Sequence, residues 1–110
     1  MTLVFKCRDP RGRTVLLTDD VWEGHILIKR AWMREGWLSE VRAALEGPLG
    51  IYATLGDPDD HIYYRMVTMR GKYLKVVVRF DKQETGRVVA AYPVSNMPSG
   101  EKWIWPVSSR

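Results

Sequence analysis

The stretch EGHILIKRAW, residues 23 to 32, places a histidine and a lysine four positions apart. In a helix that spacing brings His25 and Lys29 to one side. Imidazole titrates near neutral pH, and a neighbouring cation lowers its pKa and keeps it available as a base. Further along, HIYYRMV and YLKVVVRF supply Tyr63, Arg65, Lys75 and Arg79. A histidine facing tyrosines, guanidinium and ammonium groups suits phosphodiester chemistry. The imidazole takes the proton of an attacking ribose 2′-hydroxyl while the cations stabilise the charge growing on the phosphorane oxygens.

The element that must position the pair is a helix over about residues 20 to 34. At 100° per residue Val21, Ile28 and Trp32 stack on one side, and Trp22, Ile26 and Met33 widen the stripe. His25 falls inside that stripe, Lys29 lies between the Val21 and Trp22 lines, Arg30 points elsewhere, and Leu27 is the apolar misfit. Two readings stay open. One is a buried imidazole bonded to a backbone carbonyl, with the lysine snorkelling outward. The other is a pair facing a cleft.

The remaining elements follow from period and punctuation. TLVFKC and TVLLT flank the turn RDPRGR and predict a hairpin. Gly36 ends the first helix; LSEVRAALEGP predicts a second, capped by Ser39 and stopped by Gly47 and Pro48. GIYATLG, HIYYRMV, YLKVVVRF, GRVVAAYP and KWIWPV then predict strands parted by turn-rich segments. The expected fold class is α+β, an N-terminal hairpin and two helices packed on one face of a four- to five-stranded antiparallel sheet. Alternation puts Leu74, Val76, Val78 and Phe80 inward with Ile62, Tyr64 and Met66. It puts Lys75 and Arg79 outward with His61, Tyr63 and Arg65, so Tyr63, Arg65, Lys75 and Arg79 are expected to line one concave surface. Trp103 and Trp105 are expected on one side, as core or sheet edge rather than a stacking platform.

Composition bounds what the chain can do. Its 110 residues suit one domain, 1–110, with any site on the surface of a single core. No apolar run approaches the ~20 residues that cross a bilayer, and the start MTLVFKCRDP lacks a signal-peptide core, so a cytoplasmic protein without membrane contact is expected. One cysteine, Cys7, forms no intramolecular disulfide or zinc cluster and reads as a small buried strand residue. The formal charge of +4 permits a polyanionic partner without demanding one. Arg65, Arg70, Lys72, Lys75 and Arg79 concentrate it after the acidic GDPDD. That segment lacks a glutamate at calcium-loop spacing and reads as a solvated loop, and His61 beside it makes no specific metal signal. No metal and no cofactor are expected. The Gly-x-Ser-x-Gly elbow and the glycine-rich phosphate loops are missing, which sets aside serine hydrolases, nucleotide hydrolysis and dinucleotide binding.

The order of features carries a further signal. DDVWEGHILIKR is followed by LSEVRAALEGPLGIY, HIYYRM, YLKVVVRF and GRVVAAYP. Over residues 20 to 106 this order resembles the phage-associated barnase–EndoU–colicin–RelE-like nucleases. The resemblance implies N-terminal helices packed on an antiparallel sheet, an RNA-cleaving cleft on the sheet's exposed side, and a toxin-like or phage-related role restrained by an antitoxin or immunity protein. It matches the family's helix histidine to His25, the basic residue a turn later to Lys29 or Arg30, the arginine of YYR to Arg65, the central-strand lysine to Lys75, and the late-strand tyrosine to Tyr92. Two positions depart from it: Ala31, Trp32 and Met33 stand where a His-Pro-Glu-like continuation is expected, and Ala90 stands where a polar residue is expected.

The leading expectation is a metal-independent endoribonuclease that leaves a cyclic phosphate. In it His25 is the base or acid, Lys29, Arg65 and Arg79 bind phosphate, and Tyr92 orients or donates a proton. Arg30, Tyr63 and Lys75 complete the substrate-binding surface. The alternatives are a non-catalytic RNA- or protein-binding module using the same basic face, favoured by Ala90, and an interaction domain whose basic strand residues only keep the sheet soluble.

Overall fold

The computed structural model describes residues 2–68, 71–97 and 100–106; Arg70, one of the basic residues that follow GDPDD, lies outside them. Among the described residues seven strands form one sheet: β1 (Leu3–Arg8), β2 (Thr14–Thr18), β3 (Gly50–Ala53), β4 (Asp60–Met66), β5 (Tyr73–Phe80), β6 (Gly86–Val94) and β7 (Lys102–Trp105), in the order β1-β2-β6-β5-β4-β3-β7. Neighbours are antiparallel except β2 and β6, which run parallel. The α+β class therefore holds, while the four- to five-stranded antiparallel sheet is corrected to a seven-stranded mixed one. The hairpin β1-β2 does not lie on the sheet; it extends it. Parallel pairing needs a long crossover, and both helices and three strands separate β2 from β6. Strand alternation marks a strand without naming its neighbour, so the sequence does not display this pairing.

Residues 19–29 form the first helix, which is not regular. A single α-turn (Asp19–Val21) leads into a π-turn (Trp22–Ile26) and another α-turn (Leu27–Lys29). Arg30, at φ −140° and ψ 75°, breaks the helix before a 3₁₀ turn at Ala31–Arg34. In the π-turn the Leu27 N–H donates to the Trp22 carbonyl, an i to i+5 bond that delays the apolar face by one residue. Leu27, the expected misfit, is thus 4% exposed while Ile28 is 75% exposed. His25 is turned into solvent with Lys29. The dry stripe expected to hold His25 is corrected accordingly.

Gly36, in the left-handed region at φ 80°, starts the second helix, Trp37–Glu46, and Gly47 ends it. Ser39 is not the cap; its hydroxyl donates to the Gly36 carbonyl at 3.1 Å. Trp37, Val41, Ala44 and Leu45 of this helix and Trp22, Ile26 and Leu27 of the first join Leu74, Val76, Val78 and Tyr63 in one core. Both helices therefore cover the same side of the sheet. Each fully buried Leu, Val or Ile there contributes about 1.5–3 kcal/mol. Among the described residues no helix is long and apolar enough to cross a membrane.

The register corrects the expected faces of β4. Tyr63 pairs with Val76, Arg65 with Leu74 and His61 with Val78. Paired residues share a face, so these three point to the helix side with the core valines. Ile62, Tyr64 and Met66 share the outer face with Lys75. Period two holds along β5 and is interrupted in β6 by a bulge, where Val77 pairs with Ala90 but Val78 with Val88; HIYYRMV is apolar or aromatic in both phases and does not fix its own.

Candidate functional site

A pocket of about 280 Å³ lies where the first helix ends against β6, lined by His25, Ile26, Lys29, Arg30, Ala90, Ala91 and Tyr92. Its position follows from the sheet. The pairing of β2 with β6 reaches only Val15 with Gly86 and Leu16 with Arg87. Beyond that no described strand pairs with the outer edge of β6, and the helix lies alongside instead. Ile26 anchors the helix in the core, and the π-turn swings His25 out to the pocket rim. Two alanines in succession on β6 leave the hollow that larger side chains would fill.

The polar groups of the lining are His25, Lys29, Arg30 and Tyr92, without a carboxylate among them. The helix break carries Arg30 over the Tyr92 ring, its guanidinium carbon 5.1 Å from the centroid. Lys75 reaches the same ring from β5, its Nζ 5.7 Å from the centroid, because it pairs directly with Tyr92. A cation within about 6 Å of an aromatic centroid is attracted by the ring quadrupole. Next to this cluster the Tyr64 hydroxyl donates to Glu101 Oε1 at 2.8 Å, and Lys75 Nζ donates to Glu101 Oε2 at 3.4 Å. Burial, then the bond to Glu101, raise the Tyr64 phenol above its ordinary pKa.

Five of the eight residues singled out in the sequence therefore gather here: His25, Lys29, Arg30 and Tyr92 in the lining and Lys75 beside Tyr92. Three do not. Arg65 is on the helix side, its Nε 2.9 Å from Glu40 Oε1 of the second helix. Arg79 is on the outer face four residues along β5 from Lys75, about 13 Å away, and donates from Nε to Asp60 Oδ1 at 2.8 Å. Tyr63 is buried. The concave surface expected from Tyr63, Arg65, Lys75 and Arg79 does not form, because the first two and the last two occupy opposite faces.

Tyr63 belongs instead to a buried network at the hairpin turn. Its hydroxyl donates to Asp9 Oδ2 at 2.7 Å, and Arg11 Nη2 donates to Asp9 Oδ2 at 2.8 Å and to the Tyr63 oxygen at 3.0 Å. Arg11 Nη2 also lies 3.1 Å from His61 Nδ1; since a guanidinium only donates, Nδ1 accepts and the neutral ring carries its proton on Nε2. Burial, then the Arg11 and Arg13 charges, push the His61 imidazole down to about 4. Burial alone would raise the Asp9 carboxyl, but bonds from Tyr63, Arg11 and the Arg13 amide outweigh it and hold the group below the usual carboxylate range. Asp60 next to His61 is buried too, so GDPDD is only partly the solvated loop expected. Among the described residues no group of three or more His, Cys, Asp or Glu side chains could hold a metal ion. Cys7 is buried on β1, and burial, then Glu46, push its thiol up to about 11.

Sequence reasoning missed Glu101, the outward-facing Tyr64 and the Asp9 network. Each depends on which strands are neighbours, and no local pattern reports that. No protein-family model, curated protein or solved structure matches the chain.

Proposed function

We propose that the pocket at the end of the first helix binds a phosphodiester of RNA and that the protein is an endoribonuclease acting by 2′-hydroxyl attack. The observation that carries this reading is one hollow lined by His25, Lys29, Arg30 and Tyr92, with Lys75 across the tyrosine ring. His25 accepts the proton of the 2′-hydroxyl, whose oxygen attacks phosphorus as the bond to the 5′-oxygen breaks. The Tyr92 hydroxyl donates a proton to that departing oxygen and is reprotonated from solvent, which leaves a 2′,3′-cyclic phosphate. Lys29 and Arg30 stabilise the charge on the non-bridging oxygens, the part expected from the sequence of Lys29 with Arg65 and Arg79. No step calls on a metal.

The test is cleavage of a fluorescent single-stranded RNA with EDTA present. His25→Ala should lower the rate by about 10²–10⁴-fold, the contribution of a positioned general base, with an unchanged melting temperature. Full activity in that variant removes His25 from the mechanism, and activity lost to EDTA alone overturns the metal-free scheme. Ala90 supports a second reading, since it lines the pocket with a methyl group where a polar contact is expected. On that reading the pocket binds RNA without cutting it, and a titration that shows binding with no product selects it. A toxin-like role adds that an antitoxin or immunity protein covers the pocket. Expression should then slow growth for the native protein but not for His25→Ala.

A further inference from the structure

The outer face of the sheet carries aromatic rings that the proposed cleavage leaves unused. The register sets Tyr92 of β6, Lys75 of β5, Tyr64 of β4 and Gly50 of β3 in one row across the sheet. At Gly50 the row lacks a side chain, and the Tyr52 ring leans into the space: a Cβ on Gly50 would stand 3.2 Å from Tyr52 Cε1. There Tyr52 meets Tyr64 edge to face, centroids 5.5 Å apart at 80°. On the edge strand Trp103 lies 5.9 Å from Tyr52 at 58°.

A bulge makes this possible. The pairing of β3 with β7 shifts between Ile51 and Tyr52, so Trp105 lies opposite Ile51 and packs on the core while Trp103 lies opposite Tyr52 on the outer face. The two tryptophans expected on one side are thereby separated. Trp103 is 56% exposed, yet its indole N–H donates to the Pro106 carbonyl at 2.7 Å, which holds the ring in place. A large ring that is oriented but left in water presents apolar area without contributing it to the core.

We infer that Tyr52 and Trp103 form a base-stacking subsite for single-stranded RNA whose backbone is held at the Tyr92 pocket. The inference rests on reading that pocket as a phosphate site. Charge and chemistry select the occupant. Lys29 and Arg30 attract an anionic backbone at one end of the row, and aromatic rings at the other accept the face of any unpaired base, which a duplex keeps stacked inside. Glu101 occupies the middle, binding Tyr64 and Lys75, so the open contacts are the two ends. Four strand spacings separate β6 from β7, about 19 Å, and a strand too short to span them engages only one end.

The experiment measures the anisotropy of fluorescent 2′-O-methyl octauridylate and diuridylate, which lack the attacking hydroxyl and are not cut. Trp103→Ala should weaken octamer binding at least fivefold, the lower range for losing one stacked base, and should lower the ratio of octamer to dimer affinity. Trp103→Phe, which keeps an aromatic face, should restore most of it. Octamer affinity unchanged in Trp103→Ala overturns the subsite, even where Lys29→Ala and Arg30→Ala weaken binding and so support the pocket. The reverse pattern, with loss in Trp103→Ala alone, keeps the stacking surface and overturns the pocket. Native protein that binds neither probe overturns both.

Discussion

Lowering the pH from 7 to 5 should cost the native protein about 2 kcal/mol through His61 alone. The ring is neutral in the fold because burial and the Arg11 and Arg13 charges push it from 6.5 down to about 4, against the opposing pull of Asp9 and the Pro58 carbonyl. A folded pKa below the unfolded one means that the unfolded chain takes up a proton which the folded protein declines. Stability from this group is therefore complete above about pH 6.5 and is lost as the pH falls toward 4. Over the whole window the shift amounts to about 3 kcal/mol at 1.36 kcal/mol per pH unit, and by pH 5 about 2 kcal/mol of it is gone. At a urea slope of about 1–3 kcal/mol/M this moves the midpoint by about 0.7–2 M. The comparison protein is His61→Gln, which keeps an acceptor for Arg11 and does not titrate. His25, present in both proteins, drops out of the difference. If both proteins lose the same stability between pH 7 and 5, the ring is not held neutral by this network. Should His61→Gln unfold at pH 7, an NMR titration of the native ring decides the question directly: protonation near pH 6.5 refutes the argument.

Three further outcomes follow from the packing and the pairing. A Cβ at Gly86 would stand 2.5 Å from Val78 Cγ1 and 2.8 Å from Phe80 Cε1, so Gly86→Ala should destabilise by about 1–3 kcal/mol in urea; an unchanged midpoint refutes the close approach. Arg65 pairs with Glu40 away from the pocket, so Arg65→Ala should change stability by less than about 1 kcal/mol and leave RNA cleavage intact; a large rate loss would return Arg65 to the site. With its thiol pushed up to about 11, Cys7 is about a thousandth thiolate at pH 8, and iodoacetamide should modify it over roughly 100-fold more slowly in native than in urea-unfolded protein. Equal rates would show an open thiol.

The sequence makes some levels of this structure legible and hides others for identifiable reasons. Strand runs are visible because Val, Ile, Tyr and Phe sit between turn residues, and the second helix stops where Gly47 and Pro48 require it. The first helix is visible as a helix, yet its buried face is not, because a single i to i+5 bond at Trp22 and Leu27 exchanges the roles of Leu27 and Ile28. The same device delivers His25 to solvent, so the histidine reaches a pocket by a geometry that a regular helix does not predict. In β4 both phases of HIYYRMV look buriable, and only pairing with β5 decides that Tyr63 and Arg65 turn inward. The bulge that separates Trp103 from Trp105 and the 52-residue reach from Arg11 to Tyr63 are properties of neighbouring strands and lie beyond any local period.

Charge pairing, rather than charge count, locates the candidate site. The sequence concentrates cations between Arg65 and Arg79, and the fold gives most of them carboxylates: Glu40 for Arg65, Glu101 for Lys75, Asp60 for Arg79. A cation so paired has little field left for a ligand, and the exposed pairs add little stability of their own. Lys29 and Arg30 have no carboxylate partner among the described residues, and the break at Arg30 turns one of them onto the Tyr92 ring. The basic surface is thereby moved from the middle of the sheet to its open edge, beside the one exposed histidine. A phosphate approaching that edge meets cations whose charge is not already neutralised, and it meets them where Ala90 and Ala91 leave room for it to enter.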